Sequence, residues 1–554
     1  MKFKSFIPLA LLLTIGMVSI TGCQKGDLID NPNVAASTGT VPASLLLNHL
    51  TATWIRNPGY GSSANEMPFT FSTTAGQFVL SNYQYYRGNN NYNLGSTADS
   101  YDILKYAIAL QTQSTQQQGN QTNKYFALAQ FFKAYAGIWL TERVGDIPFS
   151  QAGDPKILTP KYDTQHDVYK SCLALLNSAN SILAPLAAAN PNGVLDAGDV
   201  FGLTYLQWQK LVNTYTLRVL ISLSKRATDN ADLNVPATFA NIVNNPATYP
   251  IMTSNADNVV YKFNTAFNPY PVFQYGDQPY NNFANVGESY VNATAPNQDP
   301  RLYAVATPAP AQITGGKAVS DFTAYAGSND NLTLPDLLNN SNSGQYSFTN
   351  YTRYYVSIAG ANAEPFVFIG YSEMCFNIAE GINRGWAAGS SATWYTNGID
   401  ASLANYGITN GQVLTITFPL NISDPSINPK GLAQGAPWGT ATANTTQFMA
   451  NVAYAGNNAA GLAQIFTQRY VSMFANSGWE PFFEWRRSVS AANPNGIPAW
   501  DQGGAGIGTA NNLIPRRWIY PANEAAYNTA NYNAAIQSQF GGTDDPTKDT
   551  WLTK

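Results

Sequence analysis

The sequence predicts a mostly α-helical protein assembled from helix pairs, with a loop-rich stretch and a few short strands between them. Apolar residues recur at helical spacing over about 98–142 and 164–226, and again over 371–406. Between these, about 230–365 loses the helical period and fills with Pro, Gly, Asn and aromatic residues.

Helical patterning begins at Ser44 to Trp54, and the chain then reads as loop from Gly59 to Gly95, with Asn-Tyr-Gln-Tyr-Tyr-Arg-Gly-Asn-Asn-Asn-Tyr-Asn at 82–93. A helix follows from about Ala98 to Gln117. The next, about Asn123 to Glu142, carries Phe126, Leu128, Phe131, Phe132, Tyr135, Ile138 and Trp139. It is apolar nearly all round, which places it at the centre. Gly145-Asp146-Ile147-Pro148 stops it. A third helix is expected over about Thr164 to Leu186 and a fourth over Thr204 to Arg226.

In the middle stretch, extended runs such as Val259-Val260-Tyr261-Lys262-Phe263 read as small strand pairs among long ordered loops. Loops of that length in a compact protein usually carry function. Helix then returns. Tyr371, Met374, Cys375, Ile378 and Ile382 fall on one face, while Glu380 and Arg384 read as a surface i,i+4 pair worth a few tenths of a kcal/mol. After Gly385, a partner helix over about Ser391 to Tyr406 turns Ala392, Tyr395, Ile399 and Leu403 inward. Helix, glycine-containing turn and return helix resemble a tetratricopeptide-type hairpin. The segments 98–117 with 123–142, and 164–186 with 204–226, are further pairs. No strict period of about 34 residues links them, so the repeats are degenerate.

The N-terminus has its own logic. Lys2 and Lys4 precede an apolar run from Phe6 to Ile20, too short to span a bilayer, and Thr21-Gly22 leads into Cys23. This resembles the lipobox of bacterial lipoproteins, which implies removal of residues 1–22 and acylation of Cys23. Residues 23–44 are then a flexible tether and 45–554 a single domain. Acyl chains on Cys23 tie a soluble body to a lipid bilayer without embedding it. No other stretch reaches 18 apolar residues, and no further span is expected.

Composition narrows the partners. Aromatic residues make up 13% of the chain and charged residues only 11%, against roughly 25% charged in ordinary soluble domains. Asn, Gln, Thr, Ser and Tyr replace the missing charge, giving a surface suited to water and neutral polar ligands. With a net charge of -4 and no basic stripe, nucleic acid is not an expected partner. His49 and His166 are the only histidines, which excludes a histidine-rich metal site. Cys172 and Cys375 sit on apolar helical faces and read as inert buried thiols, although a disulfide between them stays open.

Several segments together resemble the SusD/RagB family of outer-membrane nutrient-binding lipoproteins. Phe126 to Tyr135 followed by Gly145-Asp146-Ile147-Pro148 is similar to an early family helix and its turn. Trp208, Lys210, Asn213, Leu217 and Arg218 match a Trp-x-Lys-x-x-Asn-x-x-x-Leu-Arg helix, and Asp299-Pro300-Arg301 a family turn. Glu373 to Gly385, Gln468 to Ser472, Trp485-Arg486-Arg487, Ile514 to Arg517, Tyr520-Pro521 with Glu524, and the Gly541 to Lys548 region complete the pattern. The resemblance implies a superhelix of tetratricopeptide-like pairs with a loop-rich face. It also implies a place beside a SusC-like TonB-dependent porin, capture of nutrient (usually glycan) without catalysis, and no cofactor.

A neutral glycan needs flat apolar faces for its rings and amides or hydroxyls for its hydroxyl groups. Two loop segments offer both. One holds Tyr83, Tyr85, Tyr86, Asn89, Asn90 and Tyr92, the other Tyr270, Tyr275, Tyr280 and Asn282. Covering the core or meeting the porin are the alternatives for these tyrosines. Glu480 and Glu484 imitate a glycosidase pair, but i,i+4 spacing beside Arg486 and Arg487 points to ion pairing and no catalysis. Asp196, Gly198 and Asp199 depart from the calcium-loop spacing and read as a turn, so no metal is expected there. Peptide import of the RagB type, and a structural porin lid with little affinity of its own, remain alternative functions.

Overall fold

A computed structural model describes residues 41–55, 65–83, 90–95, 101–195, 198–264, 268–271, 282–356, 364–502, 509 and 513–554. The main helices are α1 (Ala43–Ala52), α2 (Tyr101–Gln118), α3 (Lys124–Val144), α4 (Gln165–Ala189), α5 (Tyr205–Ser222), α6 (Val235–Asn244), α7 (Leu334–Asn342), α8 (Tyr371–Asn383), α9 (Ser391–Asn405), α10 (Ala459–Ser472), α11 (Glu480–Ser488) and α12 (Thr529–Phe540). Their starts follow from local chemistry. Asn123 caps α3 by accepting from the Phe126 N–H, and Thr164 caps α4 in the same way. Thr204 and Gln207 exchange both hydrogen bonds of a capping box at α5. Gly145 ends α3 at φ 99°, a conformation that favours glycine.

The pairing is antiparallel, because contact positions rise on one helix as they fall on the other. Lys133 reaches Gln111 and Asn123 reaches Ser114 between α3 and α2. The Gln165 amide donates to the Thr141 carbonyl at 2.7 Å, while a Cβ on Gly137 would lie 2.7 Å from Cys172 Sγ, so α3 and α4 meet closely. Tyr169 faces Ser222 and Asn180 faces Gln209 between α4 and α5. Ser372 bonds the Gly398 carbonyl and Ser391 the Ala379 carbonyl between α8 and α9. α3 is buried almost throughout, as its all-round apolarity predicts. By length and composition α4 could cross a membrane, yet it lies between α3 and α5 with Tyr169, Cys172, Leu176 and Leu183 inward.

The strands are β1 (Val79–Ser81), β2 (Val259–Tyr261), β3 (Ala284–Val286), β4 (Ala306–Thr307), β5 (Phe348–Thr349), β6 (Phe366–Ile369), β7 (Val413–Thr417) and β8 (Pro437–Thr442). One four-stranded sheet runs β1-β3-β5-β4, with β2–β6 and β7–β8 as separate pairs. The stretch over 230–365 holds more helix than the sequence reading allowed. α6, α7 and Glu288–Thr294 lie within it, the first two opening on a Pro in the first turn. Segments of seven to ten residues are too short to impose a period on so mixed a composition. Ala43–Lys554 forms one compact unit, and Cys23 lies outside the described residues. Cys172 and Cys375 are both buried and free, and burial pushes the Cys375 thiol up to about 12.

The Glu380–Arg384 pair is the clearest correction. Arg384 bonds Glu380 Oε1 at 2.8 Å as expected, but Glu380 itself is 0% exposed and also receives Arg469 and Arg487. Glu380 is the hub of a buried charge cluster joining α8, α10 and α11. Packing by α10 and α11, far away in sequence, converts a surface pattern into an interior one.

Candidate functional site

One end of each of the two segments whose composition suits a neutral glycan, at 82–83 and at 282–283, is brought beside the other by the four-stranded sheet. β1 pairs antiparallel with β3, Val79 opposite Val286 and Ser81 opposite Ala284. The ladder continues one step further, with the Asn82 N–H on the Phe283 carbonyl. Tyr83 and Phe283 consequently stack, ring centres 4.8 Å apart and planes 28° from parallel. Tyr83 is 36% exposed, so its ring is reachable from solvent.

Side-chain amides fix this junction. The Asn82 amide nitrogen lies 3.0 Å from the Asn282 carbonyl, 2.8 Å from Asn285 Oδ1 and 2.6 Å from the Ser341 hydroxyl on α7, and its two hydrogens are shared among these three acceptors. Asn282 Oδ1 accepts from the Asn421 N–H at 3.4 Å, which adds a third segment to the rim. That segment stands on a small apolar cluster of Phe348, Phe418, Leu420 and Ile427, with Trp438 edge-on to Phe418 at 5.2 Å. The rim thus offers an aromatic face at Tyr83 and an amide at Asn282, anchored from beneath by the buried Asn82, a chemistry that suits uncharged polyhydroxyl ligands.

The structure divides the sequence-selected residues. Tyr83 and Asn282 stand at the rim. Asn90, Tyr92 and Tyr270 are turned inward at 5%, 3% and 2% exposure and have structural roles. Asn90 clasps Ser81, accepting from its N–H at 2.8 Å and donating to its carbonyl at 2.9 Å, which closes the neck of the loop. The Tyr92 hydroxyl accepts from Gln77 and donates to the Ala75 carbonyl. Tyr270 packs edge-on against Phe69 and Phe263. Tyr85, Tyr86, Asn89, Tyr275 and Tyr280 lie outside the described residues. Composition alone could not tell anchors from contacts, because a Tyr at a loop neck and a Tyr at its tip have the same chemistry. Phe283 and Asn421 at the rim, and Asn82 as its buried anchor, were missed, since only strand pairing and long-range hydrogen bonds bring them together.

The interior is polar in a different way. A cavity of about 50 Å³ is lined by Glu66, Glu142, Arg143, Arg218, Trp479 and Glu480 among others. That is room for a few waters and far too small for a sugar ring. Arg143 pairs with Glu66 at 2.7 Å, and Arg218 bonds Glu373 and lies 3.5 Å from Glu480. Burial pushes Glu480 up to about 8 against the pull of Arg218, with Glu142 and Glu373 adding to the rise. Glu484 pairs with Arg469 at 3.2 Å and with Arg487. Both carboxylates of the glycosidase-like pair are therefore engaged by arginines inside the protein. Asp199 accepts from the Phe201 and Leu203 N–H groups and from Trp208 Nε1, the structural turn expected of it; Asp196 lies outside the described residues.

The motif residues quoted from the sequence are pins of the fold and do not reach the rim. Lys210 pairs with Asp257, Arg301 with Asp299, and Arg517 with Asp544, while Trp485 stacks on Trp500 at 4.5 Å.

Comparison with known proteins agrees with this architecture. Residues 37–521 match the SusD-like family described as starch-binding proteins associating with the outer membrane. No curated protein matches the sequence. Two SusD homologues of Bacteroides fragilis superpose with TM-scores of 0.73 and 0.67, each at 25% identity and over 93% of this chain, covering 100% and 99% of theirs. A chitin-binding SusD homologue from Flavobacterium johnsoniae superposes with a TM-score of 0.62 over 92% of this chain and 98% of its own; at 17% identity that likeness carries the fold alone. The match over most of its length, on a scaffold of degenerate tetratricopeptide-like helix pairs, establishes that the chain belongs to the SusD-like family of starch-binding proteins associated with the outer membrane.

Proposed function

We propose that the protein is a lipid-anchored capture protein on the outer face of the outer membrane. It binds a neutral oligosaccharide at the Tyr83–Asn282 rim and passes it to a SusC-like TonB-dependent porin. The observation that carries this reading is the stacking of Tyr83 on Phe283 beside Asn282, a junction that the buried Asn82 amide holds in place at the root of both aromatic loops. Family membership and a chain with only 11% charged residues support an uncharged cargo. Acylation of Cys23 supplies the tether. Catalysis has no place in this reading, since Glu480 and Glu484 face arginines.

The test combines the rim with the loop tip. A Tyr83→Ala, Tyr85→Ala, Tyr86→Ala variant is expected to lose roughly tenfold or more in affinity for a bound oligosaccharide, since each stacked ring contributes about 0.5–1.5 kcal/mol. Its helical circular dichroism should match the wild type, because Tyr83 is solvent-reachable and supports no buried helix. Titration calorimetry reads the affinity. An unchanged value would remove this rim from the site.

A further inference from the structure

Behind the neck of the 82–93 loop, several segments converge on Gln77. This residue is 1% exposed and holds φ 53°, a left-handed conformation unfavourable for a side chain and retained where surrounding contacts enforce it. Its amide nitrogen donates to the Tyr92 hydroxyl at 3.1 Å and to the Asp501 carbonyl at 3.0 Å. Its oxygen accepts from the Ser289 hydroxyl and from the Asp501 N–H at 2.9 Å. Asp330 borders this clamp, its N–H donating to Asp501 Oδ2 at 3.2 Å.

The Asp330 side chain is the anomaly. It is 0% exposed, and neither carboxylate oxygen makes a hydrogen bond of good geometry among the described residues, the Tyr92 hydroxyl being the one donor that acts on it. Asn331 Oδ1, in the same turn, is also buried without a hydrogen-bond partner among them. That Tyr92 hydroxyl also lies 3.2 Å from the Ala75 carbonyl, which competes for its proton. Burial, and then the Asp501 carboxylate, push the Asp330 carboxyl well above the usual carboxylate range. A buried carboxyl so poorly hydrogen-bonded, beside a second carboxylate that accepts from its own N–H, either keeps its proton or takes a positive partner.

We propose that Asp330 and Asp501 bind a calcium ion, which ties the 328–331 turn to the segment after Trp500 behind the root of the 82–93 loop. The available donors are all oxygens, two carboxylates with the neutral Asn331 amide oxygen in the same turn, which suits a hard cation and excludes the thiolate and imidazole chemistry of zinc. Among the described residues no cluster of three or more His, Cys, Asp or Glu competes for a metal. Calcium tolerates a flexible, partly neutral oxygen shell, whereas magnesium demands a rigid octahedron and keeps its waters. The site stands on geometry independent of which ligand the rim takes.

Thermal unfolding of the full chain in detergent, stripped with chelator and then given ~1 mM calcium chloride or magnesium chloride, decides it. Calcium is expected to raise the wild-type Tm by about 2–5 °C, and magnesium by less. Asp330→Asn and Asp501→Asn should lose the calcium response. Asp330→Asn replaces the charge by an amide of the same shape, so in chelator it should be at least as stable as stripped wild type. That keeps the test readable if Asp501→Asn fails to fold. A wild-type Tm indifferent to calcium, or an equal calcium shift in Asp330→Asn, overturns the proposal.

Discussion

Glu380→Gln is expected to lower the free energy of unfolding by about 3–5 kcal/mol, the cost of leaving buried cations without their counter-charge. Glu380 is fully buried, and its two oxygens receive Arg469, Arg487 and Arg384. Arg469 also bonds Asn377, and Arg487 bonds Glu484, so one neutral substitution leaves two buried guanidiniums sharing the single carboxylate of Glu484. The comparison that isolates the effect is Arg384→Ala. Arg384 is 26% exposed, and its loss should cost under about 1 kcal/mol, as for partly exposed ion pairs generally. Denaturant unfolding of both variants checks the contrast; equal, small losses would mean that the cluster is not a hub. Burial opposes the charge on Glu380, but Arg487, Arg384 and Arg469 overcome it and hold its pKa well below the ordinary 4.5. With the folded value depressed, this contribution is complete above about pH 4.5 and is lost as pH falls towards the folded value.

Arg301→Ala is expected to have a loss of the same size, about 3–5 kcal/mol, for the same reason with the sign reversed. Asp299 and Arg301 are both 0% exposed. The guanidinium forks onto Asp299, through Nε to Oδ1 at 3.0 Å and Nη2 to Oδ2 at 2.6 Å, and reaches Ser402 at 2.9 Å and Gln468. Removing it leaves the buried Asp299 carboxylate with the backbone N–H of residue 301 at 3.0 Å but no counter-charge, and orphans groups on α9 and α10. Arg301→Lys should recover less than half of the loss, since an ammonium cannot reproduce the planar fork. Full rescue by lysine, measured by the same unfolding experiment, would show that only charge matters there.

The helices were legible because long periodic segments advertise their buried faces. α3, apolar all round, could only be central, and α8 with α9 announced a hairpin through the turn after Asn383. Long-range convergence was not legible. Glu380 and Arg384 carry the pattern of a surface pair, and nothing local says that α10 and α11 will close over them. Within the site, the order of Tyr and Asn residues was visible while their direction was not. Tyr83 and Tyr92 belong to one loop, yet the β1–β3 register presents the first to solvent and Gln77 draws the second inward. Asp330 gave no signal at all, since a single Asp among polar residues is ordinary until packing removes its water.

The central claim is that the loop-rich rim recognises an uncharged polyhydroxyl ligand. Titration calorimetry of the chain from residue 24 onward, against neutral oligosaccharides and against peptides at low and high salt, tests it most directly. The account predicts saturable heat with at least one oligosaccharide and an affinity that salt leaves unchanged, because few charges line the surface to be screened. Binding confined to peptides, or an oligosaccharide affinity that collapses at high salt, would contradict it.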